Sequence, residues 1–370
     1  MEKERRTVAV VGNPTSDKGK AGETYTHVHA MLLEAGNEHG FEVVDLTGEN
    51  YGDSLQKVRD AIDDLDYVIV VGGDGMVSLG VNALGHSGKP LGIVAIGSGN
   101  DFARSMGLPI DRVQIAVEGI IGAIVRGSHI EVDMGHVTSL ASAVRQDAHV
   151  NPEQAENLHE SVSHEANAQE DQPDSMKVDK YYAGMLSCGM DASVNNRANH
   201  SRLPNGTLRY FAALMTELTR LKPYGYHLRA VLEDGSVDER DVLSPLLTVA
   251  NSRYVGGGIF MSPQSQLDDG LLDVIWLEGM PSLAQCITAV ANAYNGKILD
   301  QPIFHTQRVK SIEISHYAEG AEPPALMADG EYVGQLPVKV TAQEHSLQVL
   351  VPPAVAEYHG MEKSYEGESR

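Results

Sequence analysis

The chain has 370 residues, 42% hydrophobic and 21% charged, the profile of a soluble globular protein with room for two or three domains. A net charge of −23 excludes the basic footprint of a nucleic-acid binder and a broad electrostatic membrane surface, though not a small local one. Cys188 and Cys286 are the only cysteines and lie far apart, so neither a disulfide framework nor a zinc site is expected, and a reducing compartment fits.

The opening Met-Glu-Lys-Glu-Arg-Arg leads into an apolar run of five residues, too short for a signal-peptide core. No apolar stretch approaches the ~20 residues of a membrane-spanning helix. Residues 7–11, 41–46, 67–71 and 91–96 are nearly continuous in apolar side chains, as in strands buried on both faces. Leu55, Val58, Ile62 and Leu65 recur between them at helical spacing. This alternation predicts an α/β domain with a parallel sheet over 1–130.

From Ile130 the pattern changes to short strands and hairpins: 226–232, a turn at 233–236, then 246–250, 272–277 and 309–314. It predicts a β-rich second domain over 131–336. Two helices interrupt it, one with Leu208, Phe211, Leu214, Met215, Leu218 and Leu221 on one face, the other near 282–294. Apolar alternations at 338–341 and 347–351 fit either domain, so that 337–355 is a candidate to complete the first; 356–370 reads as a tail. Residues 141–179 hold nine acidic and two basic side chains, no aromatic and no glycine. Such a segment buries too little apolar area to offset its ordering entropy and reads as a disordered acidic insertion. Its histidines His149, His159 and His164 match no ligand spacing.

Three glycine-rich loops follow predicted strands: Gly12-Asn13-Pro14-Thr15-Ser16-Asp17, Gly72-Gly73-Asp74-Gly75 and Gly97-Ser98-Gly99-Asn100-Asp101. In an open α/β sheet all three gather at the carboxyl edge of the strands, where ligands bind. Glycine lets backbone N–H groups approach phosphate oxygens, and helix N-termini add a favourable dipole. Neither the Walker A pattern nor the dinucleotide fingerprint is present. A magnesium nucleotide held by carboxylates and backbone is therefore the expected ligand. Asp101 also suits an N-cap for a helix over 102–106, and Asp74 an Asp-Gly turn.

With Phe102-Ala103-Arg104 added, these loops resemble the catalytic domain of the diacylglycerol kinase and sphingosine kinase family, in its soluble bacterial form. Gly189-Met190-Asp191-Ala192, Tyr254-Val255-Gly256-Gly257-Gly258, Leu267-Asp268-Asp269-Gly270-Leu271-Leu272-Asp273 and Asp329-Gly330-Glu331 continue the likeness in order. The resemblance implies a C-terminal β-sandwich, an active site in the interdomain cleft, ATP with Mg²⁺ as donor and a lipid hydroxyl, diacylglycerol by default, as acceptor. It implies ATP contacts at Asn13, Pro14, Thr15, Ser16, Asp17, Thr47, Gly72, Gly73, Asp74, Gly75, Met76, Val77, Ser78 and Ser98, with Asn100 and Asp101 beside them. It further implies a structural Mg²⁺ at Gln266, Asp269 and Leu271, the first and last through backbone carbonyls. Glu331 matches the position of the proton acceptor; Asp329 would orient its loop or share the metal network, and Asp74, with Asp101 as a second candidate, would hold the nucleotide's magnesium. Met76, Ser78, Leu79 and Asp17 depart from the family's usual residues.

Further implications are a cytoplasmic protein touching the inner face of a membrane, and a homodimer at family level. Arg202, Arg209, Arg220 and Lys222, around the 208–221 helix, form a basic cluster that suits either lipid headgroups or the solvated polar face of an ordinary core-packed helix. Asp329-Gly330 by itself reads as a hairpin turn. Kinases of other lipids (sphingoid bases, monoacylglycerols, glycolipids), a lipid-binding protein without activity and a nicotinamide-dinucleotide kinase are the competing readings. The last requires an Asn-Glu pair after the second loop, and Asn82 is followed here by Ala83.

Overall fold

In the computed structural model, residues 5–13, 20–140, 177–201, 203 and 206–359 are described. The first half runs β1 (Arg6–Gly12), α1 (Lys20–His39), β2 (Phe41–Asp45), α2 (Tyr51–Ala61), β3 (Tyr67–Gly72), α3 (Asp74–Leu84), β4 (Leu91–Ala95), α4 (Asp101–Ser105), α5 (Val113–Arg126) and β5 (His129–Ser139). The four apolar runs form a parallel sheet in the order β2-β1-β3-β4. Val28, Leu32, Val117, Ile120 and Ile124, from α1 and α5, fill one face of it. Val58, Leu79 and Leu84, from α2 and α3, fill the other. The parallel arrangement brings the loops after β1, β3 and β4 to one edge.

The second half runs β6 (Asp179–Tyr182), β7 (Met185–Ser187), α6 (Met190–Asn199), α7 (Gly206–Leu218), β8 (Tyr224–Leu232), β9 (Val237–Ser244), β10 (Leu247–Ala250), β11 (Tyr254–Val255), β12 (Ile259–Phe260), β13 (Leu272–Leu277), α8 (Leu283–Ala291), β14 (Phe304–His316), β15 (Leu326–Ala328), β16 (Glu331–Gly334) and β17 (Val338–Leu350). Strands β16-β15-β7-β10-β13-β14 follow one another in the sheet, while β9-β8 and β6-β5 join through β14 and β17. Val137, Tyr226, Leu247, Val274, Ile312 and Val340 pack into one core among these strands. Strand β17 connects the two halves. It pairs antiparallel with β5 and β14, and meets β4 in parallel where Val349 faces Leu91.

Three expectations change. The two alternations at 338–341 and 347–351 are one strand, interrupted between Gln343 and Leu347, where His345 has φ +48°. The domain boundary at 130 falls inside β5, one continuous strand of eleven residues, ten of them paired with β17. The acidic insertion ends earlier than 179, because Val178 is buried and Asp179 opens β6; its residues 141–176 lie outside the described residues. Within the expected tail, residues 353–359 are helical, and 360–370 lie outside the description. Among the described residues no helix is long and apolar enough to cross a membrane.

Candidate active site

The loops after β1, β3 and β4 face the β15–β16 hairpin across a cleft of about 730 Å³. The β3 and β4 loops cross backbone to backbone: a Cβ on Gly73 would stand 3.0 Å from the Gly97 Cα. Glycine is thus required there by contact, leaving peptide groups of both loops on the cleft wall.

Asp74 is the first residue of α3, and Gly73 before it supplies no side-chain cap. Its carboxylate accepts the N–H groups of Asn100 at 2.8 Å and Asp101 at 2.7 Å, lashing the β3 loop to the β4 loop. Burial raises its pKa above the ordinary carboxylate value, against those N–H bonds. Asp101 is not the N-cap of α4. That place belongs to Asn100, at φ +57°. The Asp101 carboxylate instead reaches across the cleft and accepts the N–H groups of Gly257 at 2.9 Å and Gly258 at 2.7 Å. Burial, then the charge of Asp74, pushes its pKa up to about 7.

Asp329 and Gly330, at φ +49° and +82°, form the two-residue turn between β15 and β16. The turn reading therefore holds. The Asp329 carboxylate is half-buried and accepts the N–H groups of Ala183 at 2.8 Å, Gly184 at 2.9 Å and Met185 at 3.1 Å. Burial drives its pKa to about 7, opposed by these bonds and reinforced by the charge of Asp74. Asn199 Nδ2 donates to the Gly330 carbonyl at 2.6 Å. Clamped on both sides, the turn delivers Glu331 into the cleft beside the first turn of α3: a Cβ on Gly75 would lie 3.1 Å from Glu331 Oε1. Burial raises the Glu331 pKa and the charge of Lys180 lowers it. Lys180 Nζ donates to the Tyr332 carbonyl at 2.8 Å.

Asn13, Gly72, Gly73, Gly75, Met76, Val77 and Ser98 line the same cleft; Pro14, Thr15, Ser16 and Asp17 lie outside the described residues. Three expected contacts act from behind the wall. Thr47 Oγ1 accepts the Gly12 N–H at 3.0 Å and donates to the Tyr25 hydroxyl. Ser78 is buried, 3.5 Å from the Tyr51 hydroxyl. Asn100 bonds both the N–H and the carbonyl of Gly97, bracing the loop. Asn82, where a ribose contact would be sought, spends its amide on Ser78 and Tyr181, tying α3 to β6.

One expectation gains a partner and another is corrected. One Asp269 oxygen accepts the Leu271 N–H at 3.0 Å and the other pairs with Arg308. Each oxygen keeps a second lone pair, so a cation bound through Asp269 and the carbonyls of Gln266 and Leu271 would share that carboxylate with the guanidinium. Arg209 is turned into the cleft rather than outward, with a buried Nε that has no partner; Arg202 lies outside the described residues. Arg209 is the one Arg or Lys among the described residues lining the cleft. Its place was not legible in the sequence because spacing along a helix does not fix how the helix is rotated against the rest of the fold. Tyr51 and Tyr210 were missed as well, their local sequence carrying no signal beyond helical spacing.

Next to the cleft lies an apolar chamber bounded by α6, α7 and α8, with Met190, Leu214, Leu218, Ile259, Leu277 and Ala289 in its walls. Tyr210 and Val255 line both spaces. The chamber's few polar groups include Asp191, buried, whose carboxylate accepts from the Gly189 N–H and the Thr248 hydroxyl, each at 2.8 Å. Burial pushes its pKa up to about 6.

Comparison with known proteins matches residues 7–137 to the diacylglycerol kinase catalytic domain and residues 184–351 to the YegS C-terminal NAD kinase beta sandwich-like domain. The chain thus joins a diacylglycerol kinase catalytic domain to a YegS-type C-terminal domain. It is a kinase of lipid hydroxyl groups. The kinase is 28% identical to a diacylglycerol kinase of Mycobacterium tuberculosis, over 93% of this chain and 95% of that one. It is 27% identical to a diacylglycerol kinase of Bacillus subtilis, over 94% and 97%. A crystal structure of a diacylglycerol kinase from Bacillus anthracis str. Sterne superimposes with a TM-score of 0.60 at 18% identity, over 96% of this kinase and all of that chain, a likeness of fold.

Proposed function

We propose that the kinase transfers the γ-phosphate of ATP to the free hydroxyl of diacylglycerol, forming phosphatidic acid. The observation that carries this reading is the junction at Tyr210 and Val255 between a polar cleft and an apolar chamber. A phosphate chain suits exposed backbone N–H groups and the N-terminus of the eleven-residue helix α3. An acyl chain suits walls of Leu, Met, Ile and Ala. One acceptor with a polar head and apolar tails spans both.

In this reading the lipid oxygen attacks the γ-phosphorus, the bond to the bridging oxygen breaks, and ADP leaves. Glu331 takes the hydroxyl proton, a role worth ~10²–10⁴ in rate. Arg209 faces the phosphates and offsets their charge. Asp329 positions Glu331 through the turn. Asp74 and Asp101 are the residues that would hold magnesium with the nucleotide; two adjacent carboxylates with raised pKa values, one buried and one half-buried, form a donor set that favours a cation. Magnesium bound there would neutralise phosphate charge.

The test is phosphate transfer from labelled ATP to a panel of lipids, with Glu331→Gln beside the wild type. Diacylglycerol should be preferred, and Glu331→Gln should lose at least ~10²-fold in kcat at little change in KM for ATP or in melting temperature. Near-normal turnover by Glu331→Gln would remove it as the proton acceptor. Preference for another lipid alcohol would change the acceptor without changing the site.

A further inference from the structure

Helix α8 is apolar, yet none of its nine residues is buried. Its inner face, with Cys286, Ala289 and Val290, walls the chamber. Its outer face presents Leu283, 77% exposed, and Ile287, 61% exposed, one turn apart, and Met280 stands exposed just before the helix. From Gly279 to Gly296 there is no Asp, Glu, Lys, Arg or His, in a chain that is 21% charged. Even the capping box is neutral, pairing Ser282 with Gln285 where a glutamate would serve as well.

We propose that the outer face of α8 is the surface by which this kinase docks on a lipid bilayer. The inference rests on the lipid-kinase reading and goes beyond it by naming the surface and the force. An acceptor with acyl tails leaves the bilayer and enters the chamber. A helix apolar on both faces lets the tails pass from membrane to chamber wall with little contact with water. The net charge of −23 sets the character of the contact. An acidic protein is repelled by anionic headgroups, so the docking face is uncharged and works by burying side chains in the interface. Binding should therefore be indifferent to salt and strongest on zwitterionic lipid, the reverse of what a basic patch would give.

The experiment compares the wild type with the double variant Leu283→Ser, Ile287→Ser, neither side chain lining the chamber or the cleft. Three readouts are taken: co-sedimentation with phosphatidylcholine vesicles at low and high salt, sedimentation velocity without lipid, and phosphate transfer to monomeric dioctanoylglycerol. The double variant should bind vesicles at least ~10-fold more weakly, from the loss of two buried apolar side chains. Its turnover of the monomeric lipid should stay within about twofold of wild type. Wild-type binding should not weaken as salt rises. Separately, a Trp placed by Leu283→Trp should shift to the blue and be quenched by brominated phosphatidylcholine.

Unchanged vesicle binding by the double variant, or a Trp that ignores vesicles, would overturn the proposal. A wild-type dimer that the double variant converts to monomer, with vesicle binding intact, would assign the face to a second copy and overturn it too. Failure of the wild type to phosphorylate the monomeric lipid would instead strike the lipid-kinase reading, and the vesicle comparison would still stand.

Discussion

At Asp329 three backbone N–H groups converge on one carboxylate, and an amide cannot replace it. Ala183 donates to one oxygen, Gly184 and Met185 to the other. In Asp329→Asn one of those N–H groups would face an NH₂, a loss of about 1–3 kcal/mol for a buried donor. The backbone itself should tolerate asparagine, because the φ of +49° lies in a region Asn accepts. Urea unfolding should therefore show destabilisation in that range, with turnover reduced as the Glu331 turn loosens. Glu331→Gln should lose turnover while keeping its stability. The two acidic residues of one motif are thus separable: both variants lose turnover, and only Asp329→Asn loses stability in urea.

Asp191 offers a residue-scale test by pH. Its pKa is about 6 in the folded chain and about 3.9 in an unfolded one. Between those values the folded state holds a proton that the unfolded state has released. This contribution to stability is present below about pH 4 and is lost as pH rises through about 6. Asp191→Asn carries no proton to lose, and the Thr248 hydroxyl can turn to accept from the amide. Relative to wild type, the variant should therefore gain about 2 kcal/mol between pH 4.5 and pH 7. Urea unfolding at the two pH values measures the difference, and a constant offset would show that Asp191 is ionised throughout.

Among elements, the segment from Arg253 to Gly258 is held against α4 by few bonds. Asp101 accepts from Gly257 and Gly258, the Arg253 N–H donates to Ser105 Oγ at 3.3 Å, and the Arg104 guanidinium lies 5.9 Å from the Tyr254 ring centroid. Gly256, Gly257 and Gly258 all have positive φ, so side chains there would strain the backbone. Asp101→Asn leaves one acceptor for two donors. Amide exchange at Gly257 and Gly258 should quicken about tenfold or more, while β3 and β4 keep their protection. Unaltered exchange at both glycines would mean that the strap is held by packing rather than by Asp101.

Over the whole molecule, the ends of the acidic segment make a sharp distinction. Val178 is buried and its N–H donates to Ser139 Oγ, and Asp179 opens β6 beside β5. Replacing 141–176 with a short Gly/Ser linker should leave melting temperature and turnover near wild type, since loop closure varies slowly with length. Extending the replacement to 179 removes a buried valine and the start of a strand, and should cost about 2–4 kcal/mol, read as a fall in melting temperature. Equal losses from both replacements would place the stabilising contacts inside 141–176.

The parallel sheet, the three glycine loops at one edge and the family were legible in the sequence, because strand burial and loop chemistry are local patterns. Leu91 to Ala95 reads as a buried strand from five residues alone. The irregularity that joins 338–341 to 347–351, and the polar exposed strand β9, were not legible: both break the alternation on which such reading depends. The acidic residues were found by type, but only the tertiary structure decided what each one does. Asp101 meets Gly257 across 156 positions and Asp329 meets Ala183 across 146, both as acceptors of backbone N–H groups. Asp269 pairs with Arg308, 39 positions away, and Arg209 faces the cleft by the phase of α7. A carboxylate looks the same in sequence whether it holds a loop, a cation or a proton. The partner that distinguishes these roles arrives through folding, from parts of the chain that share no local pattern with it.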